Sequence, residues 1–192
     1  MQRNDARWIA IYPVAAYRDQ WAGQENDIVA TTLDALQSLL ADQPDAPDAP
    51  MPVLPPVPAT NDLAVQPAYV DFGSGSGVRF VGRYVQAADP IYNGQLLYVY
   101  QGLTDDGRYL IGAQWPVATT AAADALDSAA DDEWTPTLSS LDTAFASLII
   151  QGPGPTLTID DLGNMEYQSM LLEKPVLLTN GIYTETVVPD SA

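Results

Sequence analysis

Side-chain chemistry in this chain is oxygen chemistry: it holds 25 Asp and Glu against 7 Lys and Arg, and neither Cys nor His. Without those two residue types there is no thiolate nucleophile, imidazole base, Cys- or His-ligated metal or iron–sulfur cluster from its own residues. What carboxylates can do is bind a hard cation, pair as acid and base across a glycosidic bond, or cap helices. Three acidic groups stand out. Asp105 and Asp106 sit in the turn Thr104-Asp105-Asp106-Gly107, Asp131-Asp132-Glu133 form a run, and Asp160, Asp161, Asn164 and Glu166 lie close together near the C-terminus. Calcium is the cofactor such oxygens suit, with Asp131, Asp132, Glu133, Asp160 and Asp161 as candidate ligands. None of the three follows the alternating spacing of an ordered calcium loop, and solvated charge or capping is the commoner use of such runs. No cofactor is otherwise implied.

Other constellations are weaker. Gly73, Gly75 and Gly77 (GSGSG) invite a phosphate-loop reading, but a strand pattern follows where a helix is required, so a turn is expected. A glycan hydrolase would need two facing carboxylates, and no motif singles out a pair. A Ser-Lys mechanism would depend on Lys174, the only lysine. Tyr98 and Tyr100 alternate on one candidate strand, and Tyr109 and Trp115 share a parity on the next. Together they make an aromatic cluster on one sheet face, which is either core or a ligand-binding face. A formal net charge of -18 opposes nucleic-acid binding and docking on anionic lipid. No apolar run approaches membrane-spanning length, so direct insertion is not expected.

These residues need a scaffold, and the patterns predict an α+β fold, an antiparallel sheet with packed helices. Trp8–Val14, Val78–Val85, Gln95–Gln101 and Arg108–Val117 read as strands, the last two joined through an Asp-Gly hairpin signal. Residues 15–21 suit a helical turn. Asp27–Ala41 reads as an amphipathic helix, with Val29, Leu33, Leu36 and Leu40 at helical spacing. Residues 42–58, dense in Pro and Asp, read as a stiff surface connector. Leu63–Val65 and Tyr69–Phe72 read as short extended pieces, and the alanine-rich residues 119–130 as helical. Thr135-Pro136 reads as a helix start, and Leu138, Leu141, Ala144, Phe145 and Leu148 share one face of a helix over 137–150. Leu141 belongs to the predicted core.

A boundary is expected at Gln151-Gly152-Pro153-Gly154-Pro155, giving a domain over 1–151 and a C-terminal extension over 152–192. In the extension, strands flank Asn180-Gly181, a strong hairpin signal. Its exposed edge offers a route to a homodimer.

The stretches WIAIYPVAAY (8–17), LDALQSLLAD (33–42), YVDFGSGSGVRF (69–80) and LYVYQGLTDDGRYLIGAQWPV (97–117) resemble a family of uncharacterised exported lipoproteins and surface proteins of bacteria such as the Chloroflexi. The resemblance implies a secreted or lipid-anchored, extracytoplasmic domain and carries over no catalytic residue. Residues 1–5 lack the order of a signal peptide, so the export signal is expected to lie outside this sequence. A looser likeness is to PsbP-type α/β/α sandwiches. Residues 162–192 resemble the opening of a further β module. The function expected is a non-catalytic surface module, binding a protein partner, a glycan or a neighbouring domain, or structural. A calcium-dependent module and a carboxylate-dependent glycan hydrolase are the alternatives.

Overall fold

The computed structural model describes residues 7–23, 27–47, 50–56, 59–85 and 90–150, and the backbone of 177–179 and 182–184. It is an α+β fold. Five antiparallel strands form one sheet in the order β1-β5-β4-β3-β2: β1 (Trp8–Pro13), β2 (Thr60–Tyr69), β3 (Gly75–Val85), β4 (Leu97–Thr104) and β5 (Tyr109–Pro116). Helices α1 (Val14–Trp21) and α2 (Ile28–Asp42) cover one face, and α3 (Leu138–Ala146) covers the other.

Both faces of the sheet are buried, and strand alternation sorts side chains between two cores. On the first face, Trp8, Ala10 and Tyr12 of β1, Phe80 of β3, Leu97 and Val99 of β4 and Leu110 of β5 pack against Val29, Leu33, Leu36 and Leu40 of α2. On the second, Val81, Tyr98, Tyr100, Ile111 and Ala113 pack against Leu138, Leu141 and Phe145 of α3, together with Trp134. Each fully buried apolar side chain contributes roughly 1.5–3 kcal/mol. The predicted stripes of α2 and α3 are therefore the surfaces that clamp the sheet, although Ala144 of the α3 stripe is exposed.

Local chemistry explains the helix ends. Asp27 caps α2 by accepting from the Ala30 N–H, and Gln43 closes it in a left-handed conformation at φ 40°. Thr137 caps α3 through the Ser140 N–H. The predicted start at Thr135-Pro136 is corrected: Thr135 belongs to the short strand β7 (Trp134–Thr135), which pairs with β6 (Ala118–Thr119). The helix also stops earlier than predicted, at Ala146, and the carbonyl of Leu148 is taken by the Gly73 N–H.

Two further expectations fail. The alanine-rich stretch over 119–130 is not helical beyond a single tight turn at Leu126–Ser128. Alanine propensity alone nucleates poorly without an apolar stripe to bury, and here long-range bonds win. The Gln66 side-chain amide donates to the carbonyls of Leu126, Asp127 and Ala129. The predicted piece over 63–65 and Tyr69 belong to one ten-residue edge strand, β2, while residues 70–72 lie beyond its end. Register shifts at Asn61/Leu63 and Val65/Ala68 break its alternation and hide it from periodicity.

The connector over 42–58 is not merely a surface loop. Met51 and Leu54 enter the first core, and the fully buried Gln101 side chain bonds both the N–H and the C=O of Leu54, at 3.0 and 2.9 Å.

The glycines of the GSGSG run serve packing. A Cβ on Gly75 would strike the carbonyl oxygen of Leu103 and lie 2.7 Å from the Cα of Thr104, both main-chain atoms of the neighbouring strand. One on Gly77 would strike the Tyr100 phenol, a fully buried ring that donates to the Val70 carbonyl and stacks on Phe145. Gly75→Ala and Gly77→Ala are therefore each expected to cost about 1–3 kcal/mol as overpacking. Thermal melts of both variants check this; equal melting of Gly75→Ala and parent would refute the close approach.

Candidate functional site

The predicted acidic sites resolve into local structure. Asp131 accepts from the N–H and the hydroxyl of Ser139, at 2.9 and 2.5 Å, and so caps the first turn of α3. These two bonds hold its carboxyl below the usual range. That support is present at neutral pH and is lost as pH falls through the lowered pKa. Glu133 accepts from the Ala130 N–H at 2.8 Å, and Asp132 is exposed. Asp106 accepts from the Thr104 hydroxyl at 2.6 Å and from the Arg108 N–H at 3.0 Å, which closes the β4–β5 turn and lowers its pKa, the Thr104 bond first. Among the described residues no three Asp or Glu stand together as a cation site. Asp160 and Asp161 lie outside the described residues.

The aromatic residues are brought together, but not as an open face. Tyr98 lies opposite Trp115 in the ladder, and Tyr100 opposite Ala113. The Phe145 ring of α3 stacks on both tyrosines, with centroids at 5.5 and 4.5 Å. Tyr98 and Tyr100 are buried, so of the predicted ligand face Tyr98, Tyr100, Tyr109 and Trp115 the first two are core beneath α3. Trp115 is half-buried at the margin, under the Arg7 guanidinium at 5.4 Å. Tyr109 is buried at the other end of β5, with the Arg108 guanidinium 5.8 Å from its ring.

Beside Tyr109 opens a depression of about 250 Å³, lined by Ser74, Thr104, Asp105, Asp106, Arg108 and Ile150. Its charged groups are one arginine and two aspartates. Asp106 is already held by the turn, which leaves Asp105 and Arg108 exposed for contact with a ligand.

A second polar cluster, which periodicity did not single out, lies under α3. Arg79 of β3 donates to both carboxylate oxygens of Asp142, Nε to Oδ1 at 3.0 Å and Nη2 to Oδ2 at 3.2 Å, and through Nη1 to the Gln66 carbonyl. The Tyr98 hydroxyl donates to the same carboxylate at 2.8 Å. Burial, then the neighbouring Asp142 charge, pushes the Tyr98 phenol up. On the same face Arg83 pairs with Asp62, at 2.8 and 2.6 Å, and also donates to the Pro90 carbonyl and Gln95. A signal for both was present: two of the seven basic residues stand four apart in a strand, hence on one face.

Gln66 sits on the outer strand β2, at φ 56° in its irregularity. Its carbonyl receives Arg79, its N–H donates to Asp127 at 3.1 Å, and its amide ties down residues 126–129. Arginine, aspartate, tyrosine and glutamine thus bind the sheet to α3 and to the loop before it. None of the described helices is long and apolar enough to cross a membrane. Comparison of the chain with known protein families, with curated proteins and with solved structures finds no match.

Proposed function

We propose that the chain is a non-catalytic extracytoplasmic surface module, which binds a protein partner, a glycan or a neighbouring domain, or plays a structural part there. The observation that carries this reading is the use of the polar side chains. Asp142, Arg79 and Tyr98 satisfy one another, while Asp131, Glu133 and Asp106 close turns and helix ends. Groups consumed in this way do not offer the poised acid, base or nucleophile that a reaction needs. The acidic surface favours a partner that is neutral or cationic over nucleic acid or anionic lipid. The sequence resemblance to exported bacterial surface proteins supports the location outside the cytoplasm.

The test is incubation of the protein with an array of cell-wall glycans and with those glycans in solution. Retention without release of reducing ends agrees with a binding role. Release that a single carboxylate substitution abolishes would replace the proposal with a glycan hydrolase. A thermal melt in millimolar CaCl2 is expected to match one in chelator. A ligand of the native state raises the melting temperature, so a calcium-dependent rise would favour a calcium-dependent module instead.

A further inference from the structure

Among the described residues β1 is an outer strand of the five-stranded sheet, paired there with β5 alone. The Val14 N–H donates to the Arg108 carbonyl, so 14/108 is a hydrogen-bonded pair. In an antiparallel ladder such pairs alternate, which makes 12/110, 10/112 and 8/114 hydrogen-bonded as well. The main-chain groups of Ile9, Ile11 and Pro13 therefore point away from β5. Pro13 has no N–H to offer, so the outward donors are those of Ile9 and Ile11. The side chains of both isoleucines are only half-buried at the margin of the second core. Such an edge is a template for another strand.

The C-terminal part of the chain is placed to provide one. Ile150 lines the same depression as Tyr109, and Tyr109 is paired with Pro13, so the described core ends beside this edge. Residues 151–176 follow, and at roughly 3.3 Å per extended residue they reach any point along the edge. Beyond them β8 (Leu177–Thr179) and β9 (Ile182–Thr184) pair as the predicted hairpin, with Thr179 opposite Ile182. β8 lies against β1.

We infer that the C-terminal hairpin is the strand partner of β1 within the same chain: its two-residue turn makes 179/182 and 177/184 hydrogen-bonded pairs, so Leu178 turns its main chain away from β9, and its carbonyl accepts one of the outward N–H groups of Ile9 and Ile11. Two physical arguments favour this occupant over a second copy. A tethered strand acts at an effective concentration in the millimolar range, and two copies at a net charge of -18 repel each other. Pro13 ends the ladder, which keeps the addition short.

Amide hydrogen exchange on the full-length chain tests the inference, comparing the parent with Leu178→Pro and Thr179→Pro at two protein concentrations. Slow exchange at one of Ile9 and Ile11 is expected in the parent, with at least a ten-fold acceleration of that amide in both variants. Ala10 and Tyr12, which bond to β5, are expected to stay unchanged. Unprotected Ile9 and Ile11 in the parent would overturn the inference, as would protection that survives both substitutions. Equal loss at that amide and at Ala10 and Tyr12 in both variants would also overturn it, by assigning the hairpin to global stability. Protection that grows with concentration would overturn it in favour of the homodimer.

Discussion

Replacing Asp142 by Ala is expected to lower the unfolding free energy by about 3 kcal/mol, within the range seen when one partner of a buried pair is removed. The side chain of Arg79 is 11% exposed and that of Asp142 is 25% exposed, so the pair is largely buried and water relieves part of the loss. Without the carboxylate, Arg79 keeps its bond to the Gln66 carbonyl but is left as an uncompensated cation against the second core. The Tyr98 hydroxyl, on a fully buried residue, loses its acceptor as well.

Two further variants separate these effects. Asp142→Asn keeps a bond acceptor for Tyr98 and removes the charge, so it is expected to lie between parent and Asp142→Ala. The pair Arg79→Met with Asp142→Leu removes both charges, and is expected to regain part of the lost stability, because the desolvation cost disappears with the ions while the Tyr98 hydroxyl and the Gln66 carbonyl still lose these partners. Urea unfolding followed through Trp134, which is buried in the same core, measures all of them. An Asp142→Ala midpoint equal to that of the parent would show that the ion pair does not secure α3.

The second large effect is expected at Gln101. Its amide bonds the N–H and C=O of Leu54 in a region where neither residue reaches water. Gln101→Leu keeps the approximate volume but strands one buried donor and one buried acceptor. Each unsatisfied group costs about 1–3 kcal/mol, so a loss of about 2–4 kcal/mol follows after partial relaxation. The damage should centre on residues 50–56, because that segment reaches the sheet through this residue. Limited proteolysis is therefore expected to cut the proline-rich stretch in the variant and spare it in the parent. A variant as stable and as resistant as the parent would mean that the Met51 and Leu54 side chains hold the segment unaided.

These two residues also show where local pattern stops being informative. Gln101 and Leu54 are 47 positions apart, and Arg79 and Asp142 are 63 apart. Each is unremarkable in its own window: a polar residue within a strand, an arginine in a β pattern, an aspartate on a helix.

What the sequence by itself determined was whatever a short window encodes. The alternation of β3, β4 and β5 placed three neighbouring strands, the Asp106-Gly107 pair marked their tight connection, and the leucine spacing of α2 marked a helix with one buried face. The absence of histidine and cysteine likewise removed whole classes of chemistry from composition alone. Tertiary structure decided what covers each surface. Tyr98 and Tyr100 share a face on either reading, and only the placement of Phe145 over them makes that face core. The carboxylates of Asp131 and Glu133 were legible as a cluster, but the donor that Asp131 meets at Ser139 fixes its role as a cap. The alanine-rich stretch had the composition of a helix, and Gln66, about sixty positions earlier, took its carbonyls instead. The physical reason is common to all of these. A sheet buried on both sides is apolar on both sides, so periodicity shows that a strand exists but not what lies against it, and a polar group's task depends on a partner that the chain brings near only when it folds.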